Sequence, residues 1–394
     1  MKYTLNFYNR AKYLLLQWQH CVNHDIIDII VLIKIKDKER MKTLFRILIV
    51  LSLLAIIFFY SSNMEDNYEP LEGPNSSSQV IPKTDSEPKE IQDALPRPET
   101  GISTLIGKQS NELLKLFGEP SRYDRSPYGY DWWVYNEDYN KFSMFAVKDN
   151  KVTQAYSSGE LADVSPYKMG QSLAEIYQMT IMESEITATI GENIYTFTLS
   201  EDDMNTRILT KLGDIFAQLY IDSESGKLSG IRFLDSQTLV LHRPYEMSFV
   251  GELISPPSPN SYLIEESNKD SAAQLFDLLN VFRVNNDIPI INYDVYVSVV
   301  AMQHSEDMYT ENYLSHDSPT NGSLKDRLEE EGILYEEAEE NIATAYIDSI
   351  EAAHGWLNSR THREYMLSSD YTHVGSGVFI NYYTQIFIQK NEDE

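Results

Sequence analysis

The chain has 394 residues, 42% of them apolar, which suffices for two or three domains each with a core of its own. Its formal net charge is −28; the first 60 residues hold nine Lys and Arg against four acids (+5), so the remainder carries −33. A surface that acidic repels phosphate backbones and anionic headgroups, which excludes nucleic acid and a bare anionic bilayer as partners of the downstream part.

Residues 1–43 end in a basic flank, Lys34, Lys36, Lys38, Arg40 and Lys42, with Arg46 just beyond it. An apolar run from Ile47 to Tyr60, broken only by Ser52, follows within the segment 44–63. The basic flank keeps the N-terminus in the cytoplasm, so the run predicts an N-terminal transmembrane helix, a signal anchor or signal peptide that exports everything after it. No small-x-small cleavage site and no lipoprotein cysteine follow Tyr60, which favours an uncleaved, single-pass anchor over a secreted chain. Met41 opens a complete signal region by itself, so Met41 stands as an alternative start, with residues 1–40 then a start-site artefact. The single cysteine, Cys21, precedes the run, so the exported part forms no internal disulfide; that suits the outside of a Gram-positive cell.

Residues 64–100, rich in Ser, Pro, Glu, Asp and Asn, read as a disordered linker that bears the folded part away from the membrane. Residues 101–245 read as two repeats of a helix followed by a small antiparallel sheet. One opens at Ile106-Gly107-Lys108-Gln109-Ser110, the other at Met169-Gly170-Gln171-Ser172. The first repeat carries an aromatic cluster (Tyr123, Tyr128, Tyr130, Trp132, Trp133, Tyr135, Tyr139); alternation along strands makes core and cross-strand pairs the better reading than a ligand face. Residues 246–269, with Pro256, Pro257 and Pro259, read as a linker.

The last part, 270–390, shows helical stripes at Leu275, Leu278, Leu279 and Phe282 and at Val295, Val299, Met302 and Tyr309. A third helix lies between an N-cap at Ser323 and Gly332, a fourth between the capping box Asp348 to Glu351 and Asn358, and a hairpin turns at Asn381. Five of the eight histidines (304, 316, 354, 362, 373) fall in this part, beside Glu340. Imidazole with carboxylate serves a metal site or an acid-base pair, while any one histidine alone more often has a structural role.

Five motifs occur here in order: Ser315-His316-Asp317-Ser318-Pro319; Glu340-Asn341-Ile342-Ala343; Trp356-Leu357-Asn358-Ser359 with Thr361-His362-Arg363; Tyr371-Thr372-His373-Val374-Gly375; and Tyr383-Thr384-Gln385. Together they resemble the bacterial branch of the CAP superfamily (SCP domains). Upstream, Gly118-Glu119-Pro120-Ser121-Arg122, Tyr128-Gly129-Tyr130-Asp131-Trp132 and Val134-Tyr135-Asn136 resemble the domain that precedes CAP domains in Bacillus-type proteins. The implied fold class is α+β: a C-terminal α/β/α sandwich (CAP fold) preceded by the duplicated helix-plus-antiparallel-sheet domain and the N-terminal transmembrane helix.

The resemblance also implies a cleft with two histidines and two acids. Motif match assigns His316 and Glu340 as its catalytic-type pair; the second acid falls on Ser359 and the second histidine on Tyr382. With half of the tetrad replaced, a divalent metal such as zinc, which needs about three protein ligands, would have to recruit His373 or His362 beside His316. Asn341, His362, His373, Tyr382 and Ser359 are the candidate binding residues, and no cofactor is implied with assurance. Three function classes stay open. The first, a non-enzymatic binding module for an extracellular peptide, lipid or cell-wall component, is preferred. A hydrolase of peptides or wall material using His316 and Glu340 and a structural or regulatory surface protein are the alternatives. In each the membrane is engaged through the N-terminal helix only.

Overall fold

The structure, a computed structural model, describes residues 70–74, 80–83 and 95–390, with three helical positions, Leu48, Ile49 and Ser52, further upstream. The expected anchor at 44–63 and the cytoplasmic segment 1–43 otherwise lie outside the described residues, among which no helix is long and apolar enough to cross a membrane. The chain divides into two units, 1–68 and 69–394, and the strands and helices of the folded domains all belong to the second.

In chain order the strands are β1 (Leu71–Glu72), β2 (Val80–Pro82), β3 (Arg122–Arg125), β4 (Asp131–Tyr135), β5 (Ser143–Lys148), β6 (Lys151–Ser157), β7 (Glu185–Ile190), β8 (Asn193–Thr198), β9 (Arg207–Leu212), β10 (Ile215–Asp222), β11 (Lys227–Leu234), β12 (Glu246–Val250), β13 (Asn292–Tyr293), β14 (Glu337–Thr344), β15 (His373–Phe379) and β16 (Tyr382–Gln389). The α-helices are α1 (Ser110–Phe117), α2 (Leu173–Met179), α3 (Glu201–Thr206), α4 (Ser236–His242), α5 (Ser261–Asn285), α6 (Val295–Thr310), α7 (Leu324–Glu330), α8 (Ser349–Asn358) and α9 (Arg360–Leu367).

The region read as two repeats does not form two separate sheets. Strands β3-β4-β5-β6 and β11-β10-β9 join through the antiparallel β6–β11 pair into one seven-stranded sheet, while β7 and β8 leave it for a second sheet ordered β2-β12-β8-β7. A pairing geometry does recur. Gly107 N–H donates to Val152 O (2.7 Å) and Val152 N–H to Lys108 O (2.9 Å); Gly170 N–H donates to Leu228 O (2.9 Å) and Leu228 N–H to Gln171 O (2.8 Å). Both glycines have positive φ, 85° and 74°, which opens the turn into the following helix. The β5–β6 turn, Asp149-Asn150, takes left-handed φ at both residues, the geometry that matches strand twist in a tight hairpin.

The segments read as linkers are partly structured. β1 pairs in parallel with β14, β2 pairs in parallel with β12, and Leu95 forms a bridge to Leu212, so the described parts of 64–100 each cap the edge of a sheet. An edge strand exposes unpaired N–H and C=O groups, and these short additions satisfy some of them. The stretch 246–269 contains β12 and the first nine residues of the 25-residue α5, capped by Asn260 Oδ1 on Leu263 N–H (2.8 Å).

The third sheet, β1-β14-β16-β15-β13, is covered by α6 and α5. Ser323 caps α7 in a capping box with Asp326. Asp348 caps α8 through Glu351 N–H (3.1 Å), but the Glu351 side chain turns to Arg207 and does not close the expected capping box. Helix α6 buries Val297, Val300, Ala301, His304 and Met308, and leaves the expected stripe Val295, Val299, Met302 and Tyr309 outside. The cause lies in β15: a Cβ on Gly375 or Gly377 would lie 2.3 or 2.1 Å from the α6 backbone, so the helix seats its small face, Ser298, Ala301 and Ser305, directly on the strand. The hydroxyls of that face are used there: Ser305 donates to Thr384 Oγ1 (2.8 Å) and Ser298 Oγ accepts from Ser376 N–H (3.2 Å).

One apolar core runs across what sequence divides into two domains. Tyr130, Trp132, Val134 and Tyr156 from the seven-stranded sheet pack with Leu275, Leu278, Leu279, Phe282 and Trp356. The aromatic cluster therefore serves mainly as core, with Tyr123 exposed and set edge-on to Trp133 at 5.4 Å between ring centres.

Candidate functional site

The cleft is assembled from three segments. The loop after α6 supplies His316, α7 supplies Arg327, and β14 supplies Glu340 and Asn341 on opposite faces of the strand. His316 Nδ1 stands 3.0 Å from Glu340 Oε1, and Arg327 Nη2 donates to both carboxylate oxygens at 2.8 and 2.9 Å. The Glu340 carboxylate is buried, and the His316 side chain is 23% exposed, so the pair has a sealed end and an open end.

Burial pushes the Glu340 carboxyl upward, but the His316 hydrogen bond and the Arg327 charge outweigh it and hold the group below its ordinary range. The carboxylate accepts from Nδ1–H, which fixes the tautomer of His316 and its orientation. His304 lies behind the pair. Burial lowers its pKa to about 4, so the ring is neutral at pH 7, and its Nε2–H donates to Ser315 O at 3.1 Å; the 3.9 Å approach to Glu340 is neither a hydrogen bond nor an ion pair.

On the other face of β14, Asn341 Nδ2–H donates to His362 O (3.1 Å), and His362 Nδ1 meets Ser359 Oγ at 2.7 Å. Burial lowers His362 to about 4, with a smaller repulsive contribution from His316. That repulsion places His362 within electrostatic reach of His316. His316, Glu340, Asn341, His362 and Ser359 thus gather around the middle of β14.

Two expected residues stand apart. His373 starts β15, two strands from β14; its Nδ1 meets Thr372 Oγ1 (2.9 Å), and its charged neighbours are Lys390 and Asp294. Tyr382 pairs with Thr344, four residues along from the Glu340–Ile386 pair, which is about 13 Å at strand rise, and packs on Tyr309 at 6.0 Å.

Residues 106–245 match the family model of the CAP-associated N-terminal domain, and residues 276–389 match that of the cysteine-rich secretory protein family, CAP. A Bacillus subtilis protein named as an uncharacterized membrane protein, YlbC, is 39% identical over 350 residues, covering 89% of this chain and all of the relative. The chain belongs to the CAP family.

A crystal structure of an extracellular SCP-domain protein from Bacillus anthracis is 36% identical, with a TM-score of 0.71 over 77% of this chain and 99% of that one. A cysteine-rich secretory protein from Staphylococcus aureus is 27% identical, with a TM-score of 0.68 over 82% and 99%. The shared CAP fold brings Glu340 and His316 together, but it leaves their donor set a poor match for zinc. Both oxygens of Glu340 already carry the Arg327 guanidinium, whose positive charge opposes a cation there. Among the described residues no three His, Cys, Asp or Glu side chains gather as a metal site.

Sequence reasoning missed Arg327, which sits among Asp326 and Glu329 to Glu331 and reads as an ordinary surface cation. It also missed the role of the polar stripe on α8. Asp348 pairs with Arg232 (2.8 Å), and Glu351 pairs with Arg207 (3.1 Å) and accepts from Gln218 (2.9 Å). His354 meets Tyr156 Oη at 2.8 Å and stacks on Tyr220, and Asn358 donates to Ile221 O (2.9 Å). Glu351, the acid on the helix where the resemblance places a second cleft acid, therefore faces the CAP-associated domain. The spacing 348, 351, 354, 358 was a readable signal, since it marks one helix face, but such a stripe ordinarily faces water.

Proposed function

We propose that this CAP protein is a cell-surface binding module, held by an uncleaved N-terminal anchor, whose cleft recognises an extracellular peptide or cell-wall component through His316. The observation that carries the reading is the occupation of both Glu340 oxygens by Arg327, with His316 on one of them. That carboxylate orients an imidazole, and on each oxygen it accepts from a guanidinium whose positive charge opposes a metal ion there. The membrane address rests on the basic flank and apolar run of the sequence and on the membrane name of the Bacillus subtilis relative.

The test is direct binding of purified full-length chain to wall fragments and to stem-type peptides. His316→Ala weakens retention by about tenfold if the imidazole is the recognising group. Equal retention of the two proteins sinks the reading. A hydrolase is the second reading, because a buried carboxylate that orients a partly exposed imidazole is also the arrangement of a general base. Release of new termini from the same substrates by the parent chain, absent in His316→Ala, would decide for it.

A further inference from the structure

Helix α6 turns its large apolar residues away from the fold. Val295, Tyr296, Val299, Met302 and Tyr309 are 57, 70, 40, 39 and 44% exposed. Positions 295, 299, 302, 306 and 309 recur at alternating steps of four and three, the seam along which two helices pack, and the seam is about 21 Å long. Ile290 and Tyr293, 57 and 49% exposed, lie just before its N-terminal end. The fold does not require this face, because the helix is already seated on Gly375 and Gly377 by its small residues. An exposed apolar seam of this length on a soluble face marks an interaction site.

The charges around it choose the occupant. The one acidic seam position is Glu306. Asp307 and Glu311 flank it, and Glu330 and Glu331 face it across a groove of about 420 Å³ between α6 and α7. Helix α6 contains no Lys or Arg. A second copy of this acidic chain would set Glu306 and its neighbours against the same acids, and anionic headgroups would meet the same repulsion. We propose that the exposed face of α6 docks a basic amphipathic helix of another protein. Its apolar stripe lies along Val295, Val299, Met302 and Tyr309, and its Lys or Arg residues reach Glu306 and the acids of α7. Arg327, paired with Glu340, and His304 also line this groove, but His316 does not, and none of the variants below alters a cleft residue, so the proposal is tested independently of any role for His316.

The experiment measures fluorescence anisotropy of a labelled 21-residue peptide with Leu at seam positions and Lys elsewhere, against the full-length chain in detergent micelles. A peptide of the same Leu seam with Glu in place of Lys, and a scrambled peptide of the basic composition, serve as controls. The basic amphipathic peptide binds and the two controls do not. The V299E/M302E variant weakens binding about tenfold or more, and E306K by a smaller factor, because only the charge contact is reversed. All of these positions are exposed, and unchanged thermal melts show that the variants are folded. Three outcomes overturn the proposal. The first is binding that is equal for the scrambled peptide or unaffected by V299E/M302E. The second is a dimer in sedimentation that the same variant dissolves, which makes the occupant a second copy. The third is binding in micelles that vanishes in phosphatidylcholine nanodiscs, which makes it a bilayer.

Discussion

The cleft at β14 and the polar face of α8 use the same chemical groups and end in opposite roles. Each combines a buried glutamate with arginine and histidine: Glu340, Arg327, His316 and His304 in the first, Glu351, Arg207, Arg232 and His354 in the second. In the cleft one imidazole keeps a solvent-facing side. On α8 every group is enclosed by the CAP-associated domain, and His354 is buried under Tyr156, Tyr220 and Phe282. Residue type alone therefore does not separate a site from a joint. What separates them is whether one member of the cluster stays open to a ligand, and here that is decided by which domain covers which helix face.

The joint can be broken most severely at Arg232, which is fully buried and holds Asp348 with two hydrogen bonds of 2.8 Å. Arg232→Ala leaves a carboxylate uncompensated in the interface and costs about 3–5 kcal/mol in denaturant unfolding. Arg327→Ala in the cleft is the matched comparison; a smaller loss there fits a carboxylate that still has His316 and a nearby opening. Next, Gly230 faces His354, whose Nε2 would lie 2.5 Å from an added Cβ. Gly230→Ala forces the ring off Tyr156 and lowers stability by about 1–3 kcal/mol, read from the same unfolding curves.

Two buried groups, His354 in the joint and Glu340 in the cleft, also separate on acidification. Burial lowers His354 to about 3, below its ordinary 6.5, so the unfolded chain binds its proton first. Its contribution is present above pH 6.5 and is lost progressively as pH falls from 6.5 toward 3, with a slope of up to about 1.4 kcal/mol per pH unit. Glu340, held below its ordinary range, adds acid sensitivity only below pH 4.5, the ordinary value for the group. In chemical denaturation at a series of pH values, His354→Gln flattens the curve between about pH 6 and 4, whereas Glu340→Gln changes it only at the acid end. A common midpoint for the two variants would mean that His354 and Glu340 titrate together. The smallest effect belongs to the cap of α7, the helix that carries Arg327. Ser323→Ala removes the bond to Asp326 N–H and costs about 1 kcal/mol of stability.

The order of motifs, the segments of the α/β/α domain and the pairing of His316 with Glu340 were legible because each rests on local pattern or on a motif that fixes a known position. The stripe on α6 misled, since periodicity shows that a helix has an apolar face but not that a second, smaller face exists for glycines to receive. The segment 64–100 misled by composition: two-residue and three-residue strands have no period to detect, and they form only because sheet edges elsewhere in the chain offer unpaired backbone groups.

By itself the sequence determined the acidic surface, the single upstream cysteine, the helix starts at Ser323 and Asp348, and the His316–Glu340 pair of the cleft. Only the tertiary structure decided that Arg327 neutralises Glu340, that His373 and Tyr382 stand apart from it, and that the α8 stripe faces protein instead of water. Those outcomes depend on contacts between residues tens to hundreds of positions apart, such as Arg232 with Asp348, and no local spacing encodes which distant charge a buried group will meet.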